Sequence, residues 1–212
     1  KKAFKVPHAN VQPYSGSPAN FAVYVATCNI GDTIMGHNLP DGGHLTHGWK
    51  ASVTGQFYKS VPYHVKADGY LDLEEIKNLA EKHKLLVIED AAQALGGSFK
   101  GQKAGSVGIA GCFSFYPAKT LGATGDAGAV VTNSKELYEK LLLLRDHGRL
   151  NKTDLAGWGY NCRLDNLQAA ILDLKLKYLP GYIRRRREIA GLYHKYLAHL
   201  PQITLPPVPT NE

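Results

Sequence analysis

Four consecutive apolar residues, Leu85 to Ile88, run directly into two carboxylates, Glu89 and Asp90. A run of this kind without alternation suits a strand buried on both faces, and such strands belong to sheets covered by helices on either side. A carboxylate just past the C-terminal end of such a strand stands where open α/β sheets bind ligands. Asp90 also has an ordinary reading, as the cap of whatever follows, because Asp is a favoured N-cap.

The remaining patterns supply the helices and further strands. The opening reads as loop through Tyr14, and Ser17 then reads as an N-cap with Pro18 as first helical residue, leading into Ala19 to Cys28. Short strands at Thr33 to Gly36 and Val61 to Val65 flank a stretch from Asn38 to Gly48 whose Gly, His and Pro content is loop chemistry. Asp72 with Glu75 forms a capping-box pattern for a helix running to about His83. Strands follow at Gly111 to Tyr116 and Ala129 to Thr132, and Asn133 with Glu136 opens a helix over Ser134 to Arg145. Leu164, Leu167, Ile171, Leu174 and Tyr178 recur at helical spacing, as do Ile189, Tyr193, Tyr196 and Leu200 after a break at Pro180. These stripes read as core or interface. The alternation predicts an α/β domain with a mainly parallel sheet and flanking helices over residues 1–200. Residues 201–212, containing Leu-Pro-Pro-Val-Pro, read as an extended linker or the start of a small domain.

Composition narrows the partners. A hydrophobic content of 44% over 212 residues supports one substantial core. The net charge of +7 is spread along the chain except at Arg184 to Arg187, which reads as the solvated face of a helix, so nucleic acid is not expected. No apolar run approaches the roughly 20 residues of a membrane span, and Lys-Lys-Ala-Phe-Lys at the start leads into no secretory apolar stretch. The expectation is a cytoplasmic protein without membrane contact, its three scattered cysteines reduced. His44 and His47 have a spacing that suits a metal, but no acidic or cysteine ligand lies near them in sequence and a structural zinc site needs four ligands, so no metal is expected. His44 is better used stacked on a flat aromatic cofactor.

Lys119 follows the strand ending near Tyr116, which puts it at the same end of the sheet as Asp90. A lysine in a dry pocket loses its proton and attacks carbonyls, whereas most lysines are charged surface residues. Ser15-Gly16-Ser17 stands at a helix N-terminus, where free backbone N–H groups attract phosphate, although a plain capped turn looks the same. An anion cradle, a strand-end carboxylate and an amine together meet the needs of pyridoxal 5'-phosphate: an anchor, a partner for the ring nitrogen and an imine-forming group.

These residues lie in motifs that resemble two families of pyridoxal-phosphate enzymes. From about Asn10 to Tyr70, Asn-Val-Gln-Pro-Tyr-Ser-Gly-Ser-Pro-Ala-Asn-Phe-Ala-Val-Tyr24 and Asp41-Gly-Gly-His-Leu-Thr-His-Gly48 resemble serine hydroxymethyltransferase. The resemblance implies that Ser15, Gly16 and Ser17 hold the cofactor phosphate, that His44 stacks on its ring and that Leu45 lies near a folate site. From about Leu79 onward the chain resembles the DegT/DnrJ/EryC1/StrS aminotransferases, which make amino sugars on nucleotide carriers. Val87-Ile-Glu-Asp-Ala-Ala-Gln-Ala-Leu-Gly96 implies Asp90 at the ring nitrogen and Gln93 beside the ring. Cys112-Phe-Ser-Phe-Tyr-Pro-Ala-Lys119 implies Ser114 on the phosphate and Lys119 as the internal aldimine. Gly159-Tyr-Asn-Cys-Arg-Leu-Asp165 implies that Asn161 reaches the phosphate of a neighbouring subunit, hence a homodimer with shared active sites. The expected activity is transamination of a nucleotide-linked keto-sugar by an amino donor. Hydroxymethyltransferase-like one-carbon chemistry and a non-catalytic cofactor-binding scaffold are the alternatives. One departure stands out: between the helix at Asp72 and the strand at Leu85 there is room for one helix only, where both families place a further strand.

Overall fold

The computed structural model describes residues 1–206. Its opening is not loop. Lys2–Phe4 form a 3-10 turn and His8–Asn10 a strand, β1, with Phe4 and Val6 buried and the Phe4 ring 4.7 Å from that of Phe113. A three-residue strand is too short to display alternation, so the pairing partner defines it, not the pattern. The first long helix, α1, spans Gly16–Thr27 and is capped at Ser15, two residues ahead of the expected Ser17. Ser15 is extended, and its carbonyl accepts the first helical bond from Ala19. Pro18 falls in the first turn, where a missing N–H costs nothing.

Strands β2 (Thr33–His37) and β3 (Lys59–Tyr63) pair in parallel. Between them lie two 3-10 turns, Leu39–Asp41 and Leu45–His47, and the short α2, Val53–Phe57. Helix α3 (Leu73–Lys82) is capped as expected by Asp72, which accepts the Glu75 N–H at 3.0 Å. It leads to β4, Ile88–Asp90, and a small hairpin of β5 (Ser98–Phe99) and β6 (Gln102–Lys103). Strands β7 (Ala110–Ser114) and β8 (Gly128–Thr132) follow, then α4 (Lys135–Leu144), capped by Ser134 where Asn133 was expected. Helix α5 (Asn166–Leu176) and helix α6 (Leu179–Leu197) close the chain, Pro180 lying in the first turn of α6.

The main sheet has the order β1-β8-β7-β4. Only β4 and β7 are parallel; β8 runs antiparallel to both β7 and β1. The α/β architecture holds, but the pairing is mixed where a mainly parallel sheet was expected. The cause lies between β7 and β8, where no helix carries the chain back across the sheet, so β8 returns antiparallel. Strands β7 and β8 are buried along their full length. Cys112 and Val130 face α1 and α4 through Ala19, Val23, Leu137 and Leu141, while Phe113, Ala129 and Val131 pack on the opposite side against Phe4, Leu172 and Leu179.

The apolar run at Leu85 is not buried on both faces. Leu85, Leu86 and Val87 are 42%, 57% and 43% exposed, and the strand begins only at Ile88. Strand β4 is the edge of its sheet, and β2–β3 form a separate sheet. The strand judged missing between α3 and β4 is indeed absent there, which leaves the flank of β4 uncovered. Ile88 links the two sheets by packing both with Val23 and Cys112 and with Tyr24, Ile34 and Tyr58.

The helical stripes divide. Leu164, Ile171 and Leu200 are half-buried, Leu164 against the core, but Leu167, Leu174, Tyr178, Ile189, Tyr193 and Tyr196 are exposed and form no core; the buried Leu172 and Leu179 lie outside the stripes. The Arg184 to Arg187 run is exposed on α6. All three cysteines are free thiols. No helix among the described residues is long and apolar enough to cross a membrane. Of the expected linker, 201–206 are irregular and 207–212 lie outside the described residues.

Candidate cofactor site

Asp90 ends β4 and Ser114 ends the parallel β7, so both open toward the same end of the sheet. The N-terminus of α1 reaches that end because glycine lets it. A Cβ on Gly16 would lie 2.9 Å from the Ser114 Cβ, and one on Gly128, at the start of β8, would lie 2.5 Å from the Ser15 carbonyl oxygen. These close approaches seat Ser15, Gly16 and Ser17 against Ser114, which is buried and accepts the Tyr116 N–H at 3.3 Å. The expected phosphate ligands are thus brought together.

Asp90 is held by three elements at once. Its Oδ2 accepts from Asn20 Nδ2 of α1 at 2.8 Å and from His47 Nε2, on the turn after β2, at 2.9 Å. Its Oδ1 accepts the Ala92 N–H at 3.1 Å. Burial alone would raise the carboxyl, whose side chain is 22% exposed, but the bonds from His47, Asn20 and Ala92 outweigh it and hold Asp90 below its ordinary range. The site therefore keeps a carboxylate with its charge in place.

His44 stands beside this carboxylate. Burial lowers its imidazole, His47 and Lys119 push the same way, and the attraction of Asp90 only partly offsets them. Lys119 is half-buried on the turn after β7, its backbone N–H on the Tyr116 carbonyl at 2.8 Å. No carboxylate lies within ion-pair distance of its ammonium among the described residues. Gln93 is exposed on the turn after β4, and its side chain makes no hydrogen bond among the described residues. Asn161 is exposed on the loop after α4, where with Ser17 and Leu45 it lines a cavity of about 540 Å³. Asp90, His44, Ser114 and Lys119 do not line that cavity. Sequence reasoning missed Asn20 and Gly128 altogether. It noticed His47 only as a possible metal ligand, whereas its partner is Asp90; no group of three or more His, Cys, Asp or Glu converges as a metal site among the described residues.

Residues 50–212 match the DegT/DnrJ/EryC1/StrS aminotransferase family, a pyridoxal-phosphate-dependent family. The match begins earlier than the motifs alone suggested. Over 164 residues the chain is 44% identical to a UDP-N-acetyl-3-dehydro-alpha-D-glucosamine 3-aminotransferase of Acidithiobacillus ferrooxidans, covering 77% of this chain and 44% of that protein. Over 84 residues it is 57% identical to serine hydroxymethyltransferase of Sorangium cellulosum, covering 39% of this chain and 20% of that one. The crystal structure of S. venezuelae DesV in complex with a ketimine intermediate superposes with a TM-score of 0.81 at 30% identity, over 97% of this chain and 62% of DesV. The chain thus spans under half the length of the sugar aminotransferase relative. The matched span covers more than half of the chain and the fold agrees with it: the chain belongs to the DegT/DnrJ/EryC1/StrS aminotransferase family.

Proposed function

We propose that this chain is the cofactor-bearing large domain, residues 1–200, of an aminotransferase that acts on a nucleotide-linked keto-sugar. The reading is supported by Asp90 and Ser114 ending parallel neighbouring strands, by the Ser15 to Ser17 turn seated against Ser114, and by Lys119, without an ion-pair partner among the described residues, on the turn after β7. The substrate class rests on the name of the Acidithiobacillus relative.

The residues fit pyridoxal phosphate. The close seating of Gly16 on Ser114 makes a pocket of small polar groups and free helix N–H donors, which suits a phosphate dianion. Asp90 is the acceptor that would hold a proton on the ring nitrogen, and His44 the flat ring beside the cofactor plane, with Gln93 nearby. Lys119 Nζ would hold the cofactor covalently. Bound there, the cofactor supplies an electron sink for the bond broken next to the substrate nitrogen. Lys119 Nζ is also the group placed to act as the base that would move a proton at the substrate carbon. Asp90 keeps its own charge through Asn20, His47 and Ala92, so it would serve as a charged acceptor for a protonated ring nitrogen.

In this reading the enzyme is a homodimer, with Asn161 serving the phosphate of a second subunit. The loop leading to Asn161 carries Leu150, Leu155 and Trp158 at 62%, 64% and 98% exposure, apolar surface that a second copy would cover. Purified protein with added cofactor should turn yellow, and borohydride reduction should fix the pyridoxyl group on Lys119 by peptide mapping. A colourless protein, or label on another lysine, overturns the assignment.

The 57% identity to serine hydroxymethyltransferase over 84 residues supports a second reading, transfer of the serine side chain to folate. Parallel assays decide between them: glutamate with a keto-sugar nucleotide against serine with tetrahydrofolate.

A further inference from the structure

The hydrogen bonds around the 44–47 turn fix protons as well as positions. Asn20 Nδ2 carries two hydrogens and both are used, one on Asp90 Oδ2 at 2.8 Å and one on Thr46 Oγ1 at 2.9 Å. A flipped amide would set its oxygen against the carboxylate, so this orientation is required even though it leaves the buried Asn20 Oδ1 without a partner. Thr46 Oγ1 accepts from Asn20 and lies 2.8 Å from His44 Nδ1, with its own hydrogen free to point there. The Thr46 backbone N–H is directed at the same ring nitrogen at 3.3 Å. His44 Nδ1 therefore faces two donors and carries no hydrogen, so the ring is the Nε2–H tautomer. The same logic fixes His47, whose Nδ1 accepts the His44 N–H at 3.1 Å while its Nε2–H donates to Asp90.

We propose that Thr46, backed by Asn20, is a positioning residue that holds His44 neutral with Nδ1 turned inward, so that the ring offered to the cofactor carries no charge. This deepens the cofactor reading above and rests on it. Asp90 keeps a positive charge on the cofactor ring, and an imidazolium stacked on that ring would set two cations face to face. Protonating His44 means adding a hydrogen at the nitrogen that Thr46 already addresses with two. The groups facing His44 divide: Asp90 at the end of β4 favours a proton there, while His47 on the same turn and Lys119 on the turn after β7 oppose it. Burial, the largest influence, also opposes it. Thr46 thereby connects the carboxylate at one end of the ring to the imidazole on its face.

The test compares wild type, T46V and T46S in the full chain. Ring-nitrogen NMR of histidine-labelled protein reads the tautomer and titration of His44 without cofactor, and visible absorption reads pyridoxal-phosphate binding. Wild type should show Nε2–H at His44. T46V should move the His44 titration up by about one unit and weaken cofactor binding about tenfold near pH 6, with little change near pH 8. T46S, which keeps the hydroxyl, should behave as wild type. An Nδ1–H tautomer in wild type, equal shifts in T46V and T46S, or a T46V loss of binding that is the same at both pH values each overturns the proposal. If wild type takes up no cofactor, the cofactor reading fails, and with it the purpose assigned to Thr46; the NMR arm then still shows separately whether the hydrogen-bond relay exists.

Discussion

Asp90 keeps its charge because α1, the turn after β2 and the turn after β4 each send it one donor. Replacing it with Asn preserves shape but removes the acceptor that would retain the ring-nitrogen proton. D90N should bind pyridoxal phosphate within a few-fold of wild type yet react with an amino donor on the order of 100-fold more slowly, measured as bleaching of the bound cofactor. Asp90, Lys119 and Ser15 were legible in the sequence because each stands where a strand ends or a helix begins. Asn20 and His47 were not, since they are 70 and 43 residues from Asp90 and only the fold makes them neighbours. Gly128 escaped for a similar reason: its need for a missing side chain comes from Ser15, far away in sequence.

Elements bounded by a cap were read within a residue or two, as at Asp72 and Ser134, because the signal and its cause are local. Strands β1, β5 and β6 went unread because two or three residues carry no period. The exposure of Leu85 to Val87 has a different cause: an apolar pattern states what a segment tolerates, while exposure depends on a neighbouring strand that is absent among the described residues. The hairpin between Phe99 and Gln102 turns through Lys100 at φ 49° and Gly101 at φ 80°, a two-residue turn in which a lysine bears a left-handed strain. K100N should raise stability by about 1 kcal/mol in urea unfolding. Glu89 points the other way from Asp90 and accepts from the N–H groups of Gly105, Val107 and Gly108 at 2.7–2.8 Å, tying the approach to β7. E89A should cost about 2–3 kcal/mol in the same measurement.

For the molecule as a whole, the site groups pull stability in one direction with pH. His44 and Asp90 both have lowered values in the folded chain, so the unfolded chain binds more protons as pH falls. Stability should decline first as pH drops through the ordinary imidazole range, and again through the carboxylate range, being regained in full above both. Urea midpoints across pH check this, and H44N should flatten the first decline while leaving the second. The mixed sheet joins distant parts of the chain. Strand β1 lies against β8 with His8 opposite Thr132, and Phe4 fills the core beside it. On the ribosome this segment is made well before its partner strand, and it stays unpaired until residue 132 has cleared the exit tunnel. A nascent chain stalled before that point exposes both the β1 backbone and the Phe4 side chain, which makes it a ready target for chaperones.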